Sequence, residues 1–264
     1  RASSREGSGV DCGPGAADRG GALIGPPVKA RPRAVFFDVD FTLIYPGPAF
    51  QASGYRDFCS RFNIEVDPSR FDAAVVGAAN FLEPESRRYD AELYIAYTRR
   101  IIEGMGGTGP SVDSVARAIY TEWAACHHFM LYDDVGDVLR ELHASGLRLG
   151  LITNSHRCLA SFQRHFELEG LFSVTLSSLE HGYMKPDPSI FEAALKALGL
   201  EPAEAIMVGD SVSHDVEGAR RLGMRAVLLS RSPGARASCP PDVPIIDSLR
   251  QLPELLELPT PFTR

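Results

Sequence analysis

Asp38 and Asp40 are two carboxylates separated by one residue, and they close the apolar run Ala34-Val-Phe-Phe37. Further reactive side chains follow in order along the chain. Leu149-Gly-Leu-Ile-Thr153 ends in a hydroxyl, with Asn154 and Ser155 next. Lys185 lies in Met184-Lys-Pro-Asp-Pro188. Ile206-Met-Val-Gly-Asp210 ends in an acid, with Ser211 beside it and Asp215 shortly after. Carboxylates can attack as nucleophiles, exchange a proton, or hold a hard cation. A hydroxyl and a lysine offer a hydrogen-bond donor and a compact positive charge to an anion. Taken singly, two aspartates after a strand are also ordinary turn formers.

The elements that carry these groups can be read from periodicity. The run before Asp38 reads as a short buried parallel strand, and ligands of open α/β sheets sit at the carboxyl ends of such strands. Residues two apart on a strand share a face, so just past its end Asp38 and Asp40 can reach one group. From Tyr132 onward helix and strand alternate, which predicts a Rossmann-like parallel sheet flanked by helices. Its five strands are expected at 34–37, 147–152, 172–176 (an edge), 205–208 and 225–229. Asp133 or Asp134 can cap a helix carrying Val135, Val138, Leu139 and Leu142. A last helix is expected near 247–256.

Between 44 and 130 the pattern becomes helical. Val112, Val115, Ala116, Ile119, Tyr120 and Trp123 share one face, Phe50, Tyr55, Phe58 and Phe62 mark an earlier helix, and 88–102 marks another. This predicts a small α-helical domain over 45–130, set into an α/β core formed by 31–44 and 131–264. The pairs Arg87-Arg88 and Arg99-Arg100 are either an anion clamp or solvated helix charge. The second reading is preferred, because adjacent helical residues cannot both face one ligand. His127 and His128 lack the four-residue spacing of two helical metal ligands and read as a helix end.

The chain of 264 residues is 44% hydrophobic and 23% charged, enough for a real core. A net charge of −7 and a pI near 5.5 give no global attraction to nucleic acid or anionic membranes. No apolar run reaches the length of a membrane span. The five cysteines are scattered without metal spacing, which suggests a reducing, cytoplasmic setting. Residues 1–30 are rich in Gly, Ser, Ala and Pro and are expected to be disordered.

In the order and spacing of Asp38-Val-Asp-Phe-Thr42, Thr153-Asn-Ser155, Lys185-Pro186 and Gly209-Asp-Ser211 with Asp215, the chain resembles the haloacid dehalogenase superfamily of hydrolases. The helical insert resembles that family's cap domain. In its cap layout, Lys185 context and Phe41, the chain is similar to the rhythmically-expressed-gene-like branch, also described as haloacid-dehalogenase-like domain-containing proteins. Phe41 stands where Gly or Asn is usual, and His214 where Asn often precedes the last Asp.

The resemblance implies that Asp38 is a nucleophile forming an aspartyl-phosphate and that Asp40 is the general acid and base. Magnesium would be held by Asp38, the main-chain carbonyl of Asp40, and Asp210. Thr153, Asn154 and Lys185 would bind the phosphoryl group, Asp215 would steady Lys185 or a metal-bound water, and Ser211 would support the site. The expected activity is hydrolysis of a small phosphorylated metabolite by a monomer or weak homodimer. A 2-haloacid dehalogenase is the rival reading, although such relatives typically lack the second acid and use no magnesium. A phosphonatase would need a cap lysine, and 44–130 contains none. A phosphomutase, or a catalytically idle binding member of the fold, completes the alternatives.

Overall fold

The computed structural model describes residues 31–82, 87–231 and 233–258, so the expected disorder of 1–30 lies outside the described residues. Strand β1 (Ala34–Phe37) is buried on both faces, as its unbroken apolar sequence requires. Val35 and Phe37 join one hydrophobic core, while Ala34 and Phe36 join the other. The strand therefore lies central, between β4 (Arg148–Thr153) and β6 (Ala205–Gly209), parallel to both. Strands β5 (Phe172–Ser177), β7 (Arg225–Leu229) and β8 (Ile245–Ile246) complete the order β5-β4-β1-β6-β7-β8. The five expected strands are all present, and the two-residue β8 adds a sixth, too short to show a period.

Helices cover both faces. On one side lie α5 (Val135–Ala144), α6 (Leu159–His165) and α10 (Leu252–Leu255); on the other lie α8 (Pro188–Leu198) and α9 (Glu217–Arg221). The short α7 (Ser178–His181) follows β5. The chain runs β1, β4, β5 in one direction and then crosses β1 to β6, β7, β8. Strand order thus reverses beside β1, and the crevice of such a sheet opens at that reversal.

The insert leaves and re-enters through a short antiparallel ribbon, β2 (Ile44–Pro46) against β3 (Phe129–Leu131). Between them stand α1 (Ala52–Ser60), α2 (Phe71–Ala78), α3 (Ala91–Gly104) and α4 (Val112–Trp123). Helix α3 begins at Ala91, three residues later than the periodicity suggests, because Asp90 accepts from the Glu92 N–H and caps it. Three-residue strands and the apolar α2 carry too little periodicity to be read in advance.

One buried acid ties the start of α5 to the chain's last elements. Asp134 takes two hydrogen bonds from Arg231, at 2.9 and 3.1 Å, one from Ser248 Oγ at 2.7 Å and one from the Leu249 N–H at 2.8 Å. Burial raises its pKa, but these donors outweigh it and hold the carboxyl below its ordinary value. Asp134→Ala is expected to cost ~3–5 kcal/mol in urea unfolding, because Arg231 loses its counter-charge and keeps the Thr42 carbonyl and the Tyr132 ring, while the Ser248 and Leu249 donors lose their acceptor. Since the acid's pKa is depressed in the fold, its stabilisation holds at neutral pH and fades as pH falls below ~4. The gap between wild type and Asp134→Ala should therefore narrow in acid.

Candidate active site

Asp38 follows β1 directly, and its N–H donates to the Val208 carbonyl at 3.0 Å, which fixes the acid at the reversal between β1 and β6. Lys185 reaches it from the loop before α8. Its Nζ donates to Asp38 Oδ1 and to Asp215 Oδ1, each at 2.6 Å, and all three side chains are buried. Asn154 holds the lysine's main chain from both sides, accepting from its N–H at 2.7 Å and donating to its carbonyl at 2.9 Å. Asp215 is turned back by a π turn, Val212–Val216, in which Ser211 Oγ accepts from the His214 N–H at 3.2 Å. A Cβ on Gly209 would lie 2.2 Å from Asp215 Oδ2, so only glycine lets that acid approach.

Carboxylate oxygens of Asp38, Asp210 and Asp215 lie within 4.8 Å of one another. Burial pushes the Asp38 carboxyl up to about 7, with Lys185 opposing and Asp215 adding to the rise. Asp210 is also raised well above the carboxylate range, by burial and then by Asp38 and Asp215. Burial pulls the Lys185 ammonium down, yet the two acids outweigh it and leave it above its usual value. Three acids around one lysine in a desolvated space therefore resist ionising together. Thr153, at the end of β4, is 1% exposed, and its Oγ1 has no hydrogen-bond partner among the described residues.

Asp40 lines the same cavity, but its carboxylate belongs to a residue that sequence reasoning passed over. Arg157 is the largest fully buried side chain among the described residues. Its Nη2 donates to Asp40 Oδ1 at 3.0 Å, its Nη1 donates to the Ala124 carbonyl at 3.3 Å, and its guanidinium lies 4.1 Å from the Phe129 ring centre. It thereby joins Asp40 to both the end of α4 and the ribbon through which the insert re-enters. Its position two residues after Ser155 was the one available cue.

The cavity, of about 340 Å³, lies between the strand ends and the insert. Asn154, Ser211 and His214 line it from the core, and Tyr94, Tyr120 and Trp123 from the insert. His156 stacks on Tyr120 at 4.0 Å, and burial lowers its pKa, favouring the neutral ring. Phe41 also faces the cavity, with φ +65° and 45% exposure. That left-handed conformation costs a residue with a Cβ ~1–2 kcal/mol, which explains why Gly or Asn would be easier there.

Of the four arginines considered as a clamp, Arg87 lines the cavity, whereas Arg99 pairs with Asp113 and Arg100 with Glu103 on the insert's surface. His127, His128 and Glu122 bring ligand atoms within 4.8 Å of one another despite the short spacing, because a 3-10 turn after α4 folds the pair back. His128 Nε2 lies 3.0 Å from Glu122 Oε2, and its ring packs on Phe50.

A parallel sheet with acids and a lysine at its reversal point, roofed by a helical insert, defines a hydrolase of the haloacid dehalogenase type. The haloacid dehalogenase-like hydrolase family matches residues 32–223, and the chain belongs to it. It is 38% identical over 138 residues to the phosphoserine phosphatase of Thermus thermophilus, covering 50% of this chain and 53% of that enzyme, about half its length. It is 32% identical over 213 residues to the glyceraldehyde 3-phosphate phosphatase of Methanopyrus kandleri, covering 75% and 84% of the two chains. The solved 2-haloacid dehalogenase of Pseudomonas syringae superposes with a TM-score of 0.57 at 26% identity, covering 85% of this chain and 98% of that one.

The charge balance yields opposite expectations for two substitutions. Lys185→Met removes the cation from a buried acid cluster and should destabilise the fold by ~3–5 kcal/mol in urea unfolding. Asp38→Asn relieves repulsion while keeping the pair of Lys185 with Asp215, and should leave stability within ~1 kcal/mol of wild type or above it.

Proposed function

We propose that this chain is a magnesium-dependent phosphatase of small phosphorylated metabolites, acting through an aspartyl-phosphate on Asp38. The observation that carries this reading is the buried cluster of Asp38, Asp210 and Asp215 around Lys185, beside a Thr153 hydroxyl with no partner among the described residues. Its hard oxygen donors, three acids against one lysine, fit a divalent cation, which would relieve their mutual repulsion. Asp38 and Asp210 would hold magnesium together with the Asp40 main-chain carbonyl. Bound there, the ion supplies positive charge that offsets repulsion between a carboxylate nucleophile and a phosphate dianion.

Asp38 attacks phosphorus as the bond to the leaving oxygen breaks, and Asp40 gives that oxygen a proton. Water then attacks the aspartyl-phosphate, Asp40 takes its proton, and the bond from phosphorus to Asp38 breaks to release phosphate. Thr153 Oγ1 and the Asn154 N–H donate to the phosphoryl oxygens, while Lys185, steadied by Asp215, offsets their charge. Arg157 is a positioning residue that holds Asp40 in register with the insert. Residues 45–130 act as a cap whose opening admits substrate and whose closure excludes bulk water.

The two phosphatase-named relatives support phosphate monoesters as the substrate class. The dehalogenase likeness is compatible with the same fold, but Asp40 and Asp210 favour phosphoryl transfer over attack on carbon. Four free thiols among the described residues suit the cytoplasm, and no helix there is long and apolar enough to cross a membrane.

Phosphate release from a panel of monoesters should require magnesium, stop with chelator, and fall at least ~10³-fold in Asp38→Asn. Halide release from a 2-haloacid, with no phosphate from any ester, would instead make the chain a dehalogenase. Arg157→Ala should lower kcat ~10- to 100-fold, part of what a general acid contributes, with KM within ~3-fold of wild type. Added guanidinium should restore part of that kcat if Arg157 acts through Asp40.

A further inference from the structure

The insert gives the cavity a wall of aromatic rings, and the core adds one more in Phe41. Tyr94 and Tyr120 lie with centroids 6.4 Å apart and planes 29° from parallel, and Tyr120 stacks on His156 at 4.0 Å and 15°. The tyrosine hydroxyls are already committed. The single Tyr94 O–H is shared between the Asn154 carbonyl at 3.4 Å and Met184 Sδ at 3.2 Å, and Tyr120 Oη bonds Tyr89 Oη. What Tyr94 and Tyr120 present to the cavity is therefore ring, held in place by polar edges that are spoken for.

Phe41 is the second observation. It directly follows Asp40, keeps a left-handed backbone that its side chain disfavours, and leaves a large apolar ring 45% exposed at the cavity. Strain retained beside a reactive group, together with an exposed ring, points to a ligand that uses that ring.

Resting on the phosphatase reading above, we propose that the substrate is a phosphomonoester whose leaving group carries a planar aromatic ring, packed between Phe41 and the Tyr94–Tyr120 wall. Placed against these ring faces, a polyol or zwitterionic leaving group would lose water without gaining a partner from them. An aromatic box can also trap a cation. Acids line this cavity together with Arg87 and Lys185, so phosphocholine is included in the test as the cationic competitor.

The test compares primary alkyl leaving groups, among which glycerol and choline are the more acidic alcohols, so intrinsic reactivity works against the expected order. With the full chain and magnesium, kcat/KM is measured for 2-phenylethyl phosphate, 2-cyclohexylethyl phosphate, glycerol 3-phosphate and phosphocholine. The phenyl ester should exceed each of the others by about tenfold, the scale of one well-formed aromatic contact. Phe41→Leu should reduce the phenyl-to-glycerol ratio about tenfold, whereas Phe41→Tyr should keep it. Phe41→Asn should lose the ratio while raising the unfolding midpoint by about 2–4 °C, because Asn tolerates the left-handed backbone. Preference for glycerol 3-phosphate or phosphocholine, parity of the phenyl and cyclohexyl esters, or a ratio unmoved in Phe41→Leu would each overturn the aromatic assignment alone. Silence with all four esters while the wider panel still releases phosphate would overturn the aromatic assignment alone, and silence across that panel would overturn the phosphatase reading and this assignment with it.

Discussion

Everything at the centre of this protein depends on one ammonium group placed between two buried carboxylates. Lys185 meets Asp38 and Asp215 at 2.6 Å each, in a space where charge separated from its partner is costly. The three residues come from three parts of the chain, so the arrangement exists only if several elements end in register. Strand β1 must stop at Asp38, Asn154 must hold the lysine's main chain, and glycine at 209 must let the π turn bring Asp215 inward. The parallel sheet secures this register, since β1, β4 and β6 finish side by side at the point where strand order reverses.

The insert is attached to that centre through polar as well as apolar contacts. Arg157 spans Asp40, the Ala124 carbonyl and the Phe129 ring, and thus senses both the site and the place where α4 leads back to the core. On another side the Met184 N–H donates to the Arg87 carbonyl and the Tyr89 N–H to the Gly182 carbonyl, joining the approach to α3 with the loop that presents Lys185. The position of the helical roof and the disposition of Lys185 and Asp40 are physically linked through these bonds.

Much of this was legible in the sequence, and the rest was hidden for identifiable reasons. Apolar runs that stop at Asp38, Thr153 and Asp210 announce buried strands with reactive ends, because a parallel strand covered on both faces has no reason to alternate. The periodicity of α4 marked Tyr120 and Trp123 as inward-facing. It could not tell a packed core from the wall of a cavity, since both select apolar rings. The contact of Arg157 with Asp40 joins residues 117 apart, and no local pattern encodes such a pairing. Phe41 was visible as a departure from the family's habit. Its meaning emerged only with its backbone angle and its exposure.

The ribbon of β2 and β3 has a consequence for how this chain can change. Because Ile44–Pro46 pairs directly with Phe129–Leu131, the segment from Gly47 to His128 begins and ends at one spot. To the α/β core it is a single excursion, and closing such an excursion costs only roughly 0.6 kcal/mol more each time its length doubles. The core thus places little thermodynamic constraint on what is carried between the two strands. Lineages can exchange, lengthen or redecorate the roof while the parallel sheet and the residues at its strand ends stay in place.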